Sequence, residues 1–363
     1  MAISTIDNNG ANLGQLGNRN MVTNGAMAVA QRSTSSTGLG ANSGYFVTDR
    51  YAISVADASA GRFTMSQSSD APEGFGYSLK LDCTTADTSI ASGERLMLRH
   101  KMEGQNLQQL KKGTSNAEPF TISFYVKGNA SATYSLSLYD SDNGRSISKT
   151  FAVTSSWNRI SLNFAGDTTG AFGNDANSSL VLDWFLNAGS DYTSGTLGTS
   201  WATNNNATRA SGISSFFSST DNNFFITGIQ MEVGDTATPF EHRSYGEELA
   251  KCQRYTFVVK GDDNDATGFV GYSETTSAVR FGVRYPVTMR ASPSFTLSGS
   301  CRAQGGTADT ANFSSGLALV HPNNSHDGSC IRVTGTSGAG AADRGFNLQF
   351  KSNGASLTFD AEL

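Results

Sequence analysis

An all-β chain is what this sequence predicts: a jelly-roll β-sandwich followed by a smaller β-sandwich tip domain, with a short helical linker between them. Three observations predict it. Charged residues make up 16% of the 363 positions, below the roughly 25% of an average globular protein. The polar surface is built instead from Ser, Thr, Asn and 39 Gly, which suits turn-rich sheets. Segments alternating apolar and polar residues recur at close spacing, the pattern of half-buried strands.

Residues 1–20 are Gly- and Asn-rich without periodicity and read as an extended arm. Tyr45–Val55 reads as one strand, and Arg62–Gln67, Tyr77–Asp82 and Arg95–Met102 as three more. Asn106–Lys112 reads as a helical turn, with Leu107 and Leu110 on one side and Gly113 as its stop. Phe120–Lys127 follows. Ala132–Asp140 and Arg145–Val153 form a hairpin across Asn143-Gly144, the strongest short-range hairpin signal. Trp157–Phe164 adds a strand. Leu180–Asn187 is more continuously apolar and is expected to be buried on both faces. Residues 189–218 are a Ser/Thr/Asn/Gly stretch too long for a compact domain unless it has a job. Phe224–Val233 closes the sandwich. The organisation is therefore an arm (1–20), a jelly roll (21–243), a helical linker (244–255) and a tip domain of short strands (256–363). Pro286 and Pro293 bracket a bend within the tip.

Composition excludes several functions. The net charge is −5 and neither half is basic, so the electrostatic footprint of nucleic-acid binding is missing. No apolar run approaches the roughly 18 residues of a membrane span, and the first residues lack the features of an export signal. The expectation is a protein made in the cytoplasm, without membrane insertion. Cys83, Cys252, Cys301 and Cys330 show no CxxC spacing and read as reduced thiols. A Cys301–Cys330 bridge stays open.

Asp263, Asp265, Thr267, Gly268 and Glu274 fall at positions 1, 3, 5, 6 and 12 of a calcium-loop pattern. Both flanks read as strands rather than helices, so an acidic hairpin loop is preferred and Ca2+ is kept as the alternative. Asp140-Ser141-Asp142-Asn143-Gly144 reads as a hairpin tip. His321, His326, Asp327 and Cys330 match no standard zinc spacing and read as a polar loop. No nucleophile, zinc-protease or phosphate-loop motif is present. Asp183, Glu232 and Glu241 are the carboxylates that could serve glycoside hydrolysis, and each also has a structural reading at a strand end or turn. No catalytic residue is assigned.

Aromatic residues in polar loops are the best site signal. Pyranose rings present apolar C–H faces that stack on flat side chains, while neighbouring polar groups bond the hydroxyls. Tyr45, Tyr192, Trp201, Phe216 and Phe217 fit that chemistry, and each could instead fold back into a core.

Several segments resemble bacteriophage tail-fibre and virion proteins with a carbohydrate-binding-module-like jelly roll. They are Asn20–Arg32, Thr48-Asp49-Arg50-Tyr51, Met102–Leu107 with Pro119–Lys127, and Tyr285–Pro293. The most specific is Gly228–Tyr255, with Gly228-Ile229-Gln230-Met231-Glu232-Val233-Gly234-Asp235 at its head. The resemblance implies a homotrimeric virion protein that adheres to host surface polysaccharide and partners other tail or capsid proteins. It also implies docking to the virion through the arm, where Leu13, Leu16 and Arg19 are the candidate contacts. A capsid-decorating or tail-adaptor protein without a receptor is the first alternative reading. A polysaccharide depolymerase is the second.

Overall fold

The computed structural model describes residues 18–56, 60–275, 277–305, 310–313, 317–319, 325–334 and 345–363. Leu13, Leu16 and His321 lie outside them. The architecture is nearly all β, as expected. The chain divides into two compact units, Met1–Tyr245 and Gly246–Leu363.

The first unit contains β1 (Ser35–Leu39), β2 (Gly44–Tyr45), β3 (Ala52–Ala56), β4 (Arg62–Ser68), β5 (Ser78–Thr85), β6 (Arg95–Glu103), β7 (Phe120–Gly128), β8 (Ala132–Asp140), β9 (Arg145–Val153), β10 (Asn158–Phe164), β11 (Ser178–Ala188), β12 (Ala202–Thr203) and β13 (Asn223–Val233). Among the described residues they form a six-stranded sheet, β1-β4-β5-β13-β7-β10, and a seven-stranded sheet, β12-β9-β8-β11-β6-β3-β2. All pairings in both sheets are antiparallel. One apolar cluster lies between the two sheets. Alternation supplies it: Leu136 and Leu138 from β8, Leu180, Leu182 and Trp184 from β11, Ile122 and Phe124 from β7, Leu79 and Leu81 from β5. Trp184 meets the Phe124 ring edge-on at 5.9 Å. A ring of this size, fully buried, stabilises by a few kcal/mol.

β13 shows how sequence sets register. Phe224 and Ile226 face the core, then the ladder to β7 shifts between Thr227 and Gln230. The shift passes through Gly228 at φ 62°, and it changes the parity so that Ile229 and Met231 stay in the core. A Cβ at Gly228 would come within 2.7 Å of the Phe75 ring and 2.8 Å of Tyr125. Glycine is therefore required on both conformational and spatial grounds. Beyond the strand, Gln230, Glu232, Thr238 and Glu241 bond one another. Thr238 N–H donates to Glu232 Oε1 at 2.9 Å, and Glu241 N–H to Gln230 Oε1 at 2.8 Å. The Asn20 N–H then donates to Glu241 at 2.7 Å.

Two local readings need correction. The single strand expected over Tyr45–Val55 is two short strands, because Arg50 takes φ 74° and turns the chain between them. Arg50 is fully buried and donates to the Lys101 carbonyl at 2.7 Å. The helical turn expected at Asn106–Lys112 is a pair of 3-10 turns, Gly104–Asn106 and Gln108–Leu110, ended by Lys111 at φ 49°. Leu107 and Leu110 are buried there.

The second unit starts in α2 (Tyr245–Gln253); α1 is the single turn Ser190–Thr193 of the first unit. Its strands are β14 (Thr256–Gly261), β15 (Ala266–Thr275), β16 (Ala278–Arg284), β17 (Ser294–Ser298), β18 (Cys301–Gln304), β19 (Thr310–Phe313), β20 (Leu317–Leu319), β21 (Gly328–Thr334), β22 (Gly345–Phe350) and β23 (Ala355–Asp360). They form a β14-β23-β17 sheet and a β19-β18-β22-β15-β16-β21-β20 sheet among the described residues. Phe359 of β23 anchors their core. It stacks on Phe257 at 5.7 Å and meets Tyr285 and Phe295 at 5.4 and 5.1 Å. The four cysteines are free thiols. Burial pushes the Cys301 thiol up to about 12.

Candidate functional site: the outer face of the seven-stranded sheet

On the seven-stranded sheet the residues that alternate with the core face form rows across the strands. Cross-strand partners give one row as Tyr45, Ala52, Arg99, Asp183, Ser137 and Ser148. A second row is Lys101, Val181, Tyr139 and Ser146. A third is Ser54, Met97, Phe185, Ser135 and Thr150.

The polar stretch after β11 lies over part of this face. Tyr192, Ala210 and Ile213 pack on Met97 and Phe185 to make a small separate core. Backbone bonds fix the cover: Gly189 N–H donates to Glu94 O at 2.8 Å, Ser148 N–H to Gly198 O at 2.7 Å, and Ser214 N–H to Thr133 O at 2.7 Å. β12 extends it as an edge strand on β9. This is the job of the long Ser/Thr/Asn/Gly stretch, and it explains why Ser179–Asn187 is buried on both faces.

The cover also inserts Arg209. Its guanidinium lies 5.1 Å from the Phe185 ring and 5.6 Å from the Tyr139 ring. It donates to Ser137 Oγ at 2.9 Å and to Asp183 Oδ2 at 2.7 Å. Arg99 reaches the same carboxylate through two bonds of 2.6 and 3.1 Å. Burial alone would raise the Asp183 pKa, but the two guanidiniums hold it below the usual carboxylate range. Asp183 therefore stays ionised and positions two arginines.

Tyr45, Arg99, Lys101 and Tyr139 are each partly exposed on this face, Tyr139 with the cover's Arg209 near its ring. The Arg32 guanidinium stands 5.2 Å from the Tyr45 ring. The face thus offers two aromatic rings flanked by cations, with the floor charge of Asp183 already paired.

The predicted aromatic residues separate into three groups. Tyr45 lies on the face just described. Trp201 is half-buried, its Nε1–H donating to Ala165 O at 2.9 Å, and it lines a groove of about 380 Å³ at the β9 edge of the sandwich. Tyr192, Phe216 and Phe217 are corrected: all three are buried. Tyr192 bonds Arg95 and packs on Phe185 at 5.8 Å. Phe216 and Phe217 meet each other at 5.4 Å and Phe63 at 6.2 and 6.3 Å, inside the main core. Gly61 leaves the room they fill, since a Cβ there would lie 2.5 Å from the Phe217 ring. Sequence reasoning missed Arg99, Lys101 and Tyr139, which sit in strands at ordinary outward positions. A further aromatic pair, Trp157 and Phe225, lies on the six-stranded sheet, capped by Lys127 at 5.5 and 4.9 Å. Asp70 accepts from both Trp157 Nε1 and Lys127 there.

The residues of the calcium-loop pattern are engaged as follows. Glu274 is held by Arg280 at 2.5 Å and Arg332 at 2.6 Å on the strands. Thr267 Oγ1 donates to Leu348 O at 2.9 Å, Asp265 Oδ2 accepts from Asp262 N at 2.9 Å, and the Asp263 N–H donates to Asn353 Oδ1 at 3.1 Å. The β14–β15 connection is a tight turn between strands of two different sheets, not the hairpin loop expected: the Asp265 N–H donates to the Asp262 carbonyl at 3.0 Å. Of the zinc-like group, Asp327 accepts from Thr288 at 2.5 Å and the His326 carbonyl accepts from Met289 N–H at 2.7 Å. Among the described residues no cluster of three His, Cys, Asp or Glu side chains could hold a metal. Glu232 and Glu241 share the network around Gln230 and Thr238, and Asp183 lies apart from it between Arg99 and Arg209. Arg19, assigned to docking, donates to the Pro239 carbonyl at 3.4 Å within its own unit.

No family model matches this chain, and no curated protein matches it significantly. Among solved structures it is similar to a CBM22-1 xylan-binding domain from Paenibacillus barcinonensis Xyn10C, at 14% identity and a TM-score of 0.26, covering 51% of this chain and 87% of that one. It is also similar to TmCBM61 in complex with β-1,4-galactotriose, at 10% identity and a TM-score of 0.29, covering 60% and 99%. The CBM22-1-CBM22-2 tandem of the same xylanase covers 90% of this chain and 97% of its own length, at 11% identity and a TM-score of 0.27. Likenesses at these values are of carbohydrate-binding modules with jelly-roll folds, and they carry no ligand over to this chain.

Proposed function

We propose that the protein is a phage virion adhesin that binds host surface polysaccharide on the outer face of its seven-stranded sheet. The observation that carries this reading is the partial exposure of Tyr45, Tyr139, Arg99 and Lys101 on one sheet face. Aromatic planes take the C–H faces of sugar rings, and guanidinium and ammonium donors take hydroxyl or anionic oxygens. The virion setting and the homotrimer rest on the tail-fibre resemblance of residues 20–32 and 228–255. Multivalency supplies the strength: weak contacts repeated across a trimer gain from mM effective concentration.

The test is a glycan array with the intact protein, followed by titration of any polysaccharide retained. Tyr45→Ala is expected to weaken binding about tenfold, near the 1–2 kcal/mol of one aromatic platform, with the melting temperature unchanged. A protein that retains no glycan on the array or on host cells returns the reading to a purely structural virion component.

A further inference from the structure

The Trp201 groove shares no residue with the sheet-face site and lies where β9 and β10 meet the cover segment Thr199–Trp201. Its floor is the buried Ile147 of β9. Its wall is Trp201, whose indole is fixed by the Ala165 carbonyl and whose own carbonyl accepts from Arg145 at 3.2 Å. Exposed Thr168, Thr199 and Ser200 ring the mouth. The volume, about 380 Å³, is at the small end of the roughly 300–1,000 Å³ of ligand pockets.

Charge accounting in this groove leaves one cation over. Asp167 is the groove's carboxylate, and it is already taken by Arg145 at 2.7 and 3.1 Å and by the buried Lys112 at 3.1 Å. Lys112 is itself satisfied by Asp140 at 2.6 Å and by the carbonyls of Thr169 and Gly170 at 2.8 and 2.7 Å. Lys149, half-buried in the same groove, has no carboxylate within ion-pair reach among the described residues. Its ammonium has only the Phe164 ring, at 5.6 Å. β9 places Lys149 between Ile147 and Phe151, both of which face the core, so the side chain leans toward the gap between the sheets and not into open solvent.

We infer that this groove is a second saccharide subsite, selective for a uronic acid residue: the pyranose ring lies against Trp201 and the carboxylate pairs with Lys149. This rests on the polysaccharide-binding reading above and names the sugar class that the groove would select. A neutral sugar would leave a half-desolvated ammonium without a counter-charge, whereas a uronate supplies one.

The experiment uses the Tyr45→Ala chain, which lacks the sheet-face platform, and follows tryptophan emission during titration with oligogalacturonate and oligoglucuronate fragments and their methyl esters. The expected result is a saturable change for an acid form, at least fivefold tighter than its ester. Trp201→Phe should abolish the signal, and Lys149→Gln, which keeps the length of the stem and is checked for an intact fold by its melting curve, should bring acid and ester to the same affinity. Equal affinity of acid and ester in the Tyr45→Ala chain overturns the uronate assignment. Glycan binding by the parent chain that Tyr45→Ala abolishes outright overturns the subsite and leaves the sheet-face reading standing. Absence of glycan binding by both chains overturns both.

Discussion

The two units handle charge in opposite ways. In Met1–Tyr245 the ion clusters are inside: Lys112, Asp140 and Asp167 have side-chain exposures of 4%, 0% and 4%, and Asp183 is fully buried between Arg99 and Arg209. In Gly246–Leu363 the corresponding cluster, Glu274 with Arg280 and Arg332, keeps exposures of 27%, 24% and 35%. Buried ion pairs gain little net stability when intact, yet removing one member is expensive because a charge is left without a partner or water. Exposed pairs are screened by solvent. The first unit is therefore the electrostatically fragile one. It is also the unit whose strands carry the proposed sites, because orienting several cations on a rigid sheet needs fixed counter-charges beneath them.

The three tryptophans, Trp157, Trp184 and Trp201, all belong to the first unit, so their emission reports that unit while calorimetry reports both. Lys112→Met should be the most damaging change, costing about 3–5 kcal/mol by leaving the buried Asp140 without a cation while Asp167 keeps Arg145, and it should lower the emission transition while the second unit melts unchanged. Asp183→Ala should follow at about 3 kcal/mol. It should also loosen Arg209, seen as faster amide exchange across residues 192–214. Equal shifts of both transitions in either variant would remove the contrast between the units.

Acid should sharpen the contrast. His100 is buried beside Tyr51, at 5.0 Å between rings. Burial, aided by the nearby Arg50 charge, drives its pKa well below the usual value. The unfolded chain takes up a proton below about pH 6.5 that the native chain refuses, so stability is full above that pH and falls as pH drops, by up to about 1.4 kcal/mol per pH unit. Asp183 adds to the loss only below about pH 4, where its unfolded form protonates and its native form does not. His100→Phe should flatten the emission midpoint between pH 6.5 and 4, read from denaturant titrations. Glu274→Gln, the smallest change, should leave the calorimetric transition of the second unit in place and remove only its salt dependence.

Much of the fold was legible because its signals are local. Asn143-Gly144 sits at the tip of the hairpin it predicts, with Gly144 at φ 62°. The continuous apolar run of β11 signalled burial on both sides. What the run did not reveal was the covering layer, since Tyr192, Ala210 and Ile213 are scattered through a polar stretch that lacks any period. The site was legible only at Tyr45 and Trp201, whose aromatic character stands out against polar neighbours. Arg99, Lys101 and Tyr139 are unremarkable within their own strands, and only the cross-strand register of β6, β11 and β8 puts them side by side. Phe216 and Phe217 misled for the converse reason: polar neighbours in sequence concealed the core position that both take, with room for Phe217 left by the distant Gly61 just before β4.

The layer running from Gly189 to Ser215 is anchored at both ends to the framework, and at its start a Cβ on Gly189 would lie 1.9 Å from the Ala91 carbonyl oxygen. Apart from edge strand β12, which the layer itself supplies, the ladders of the framework below are made by strands outside it. It behaves as a cassette: exchange it for a segment of different lining, with its end residues and Arg209 kept, and the Trp201 wall changes while the sandwich that carries it does not.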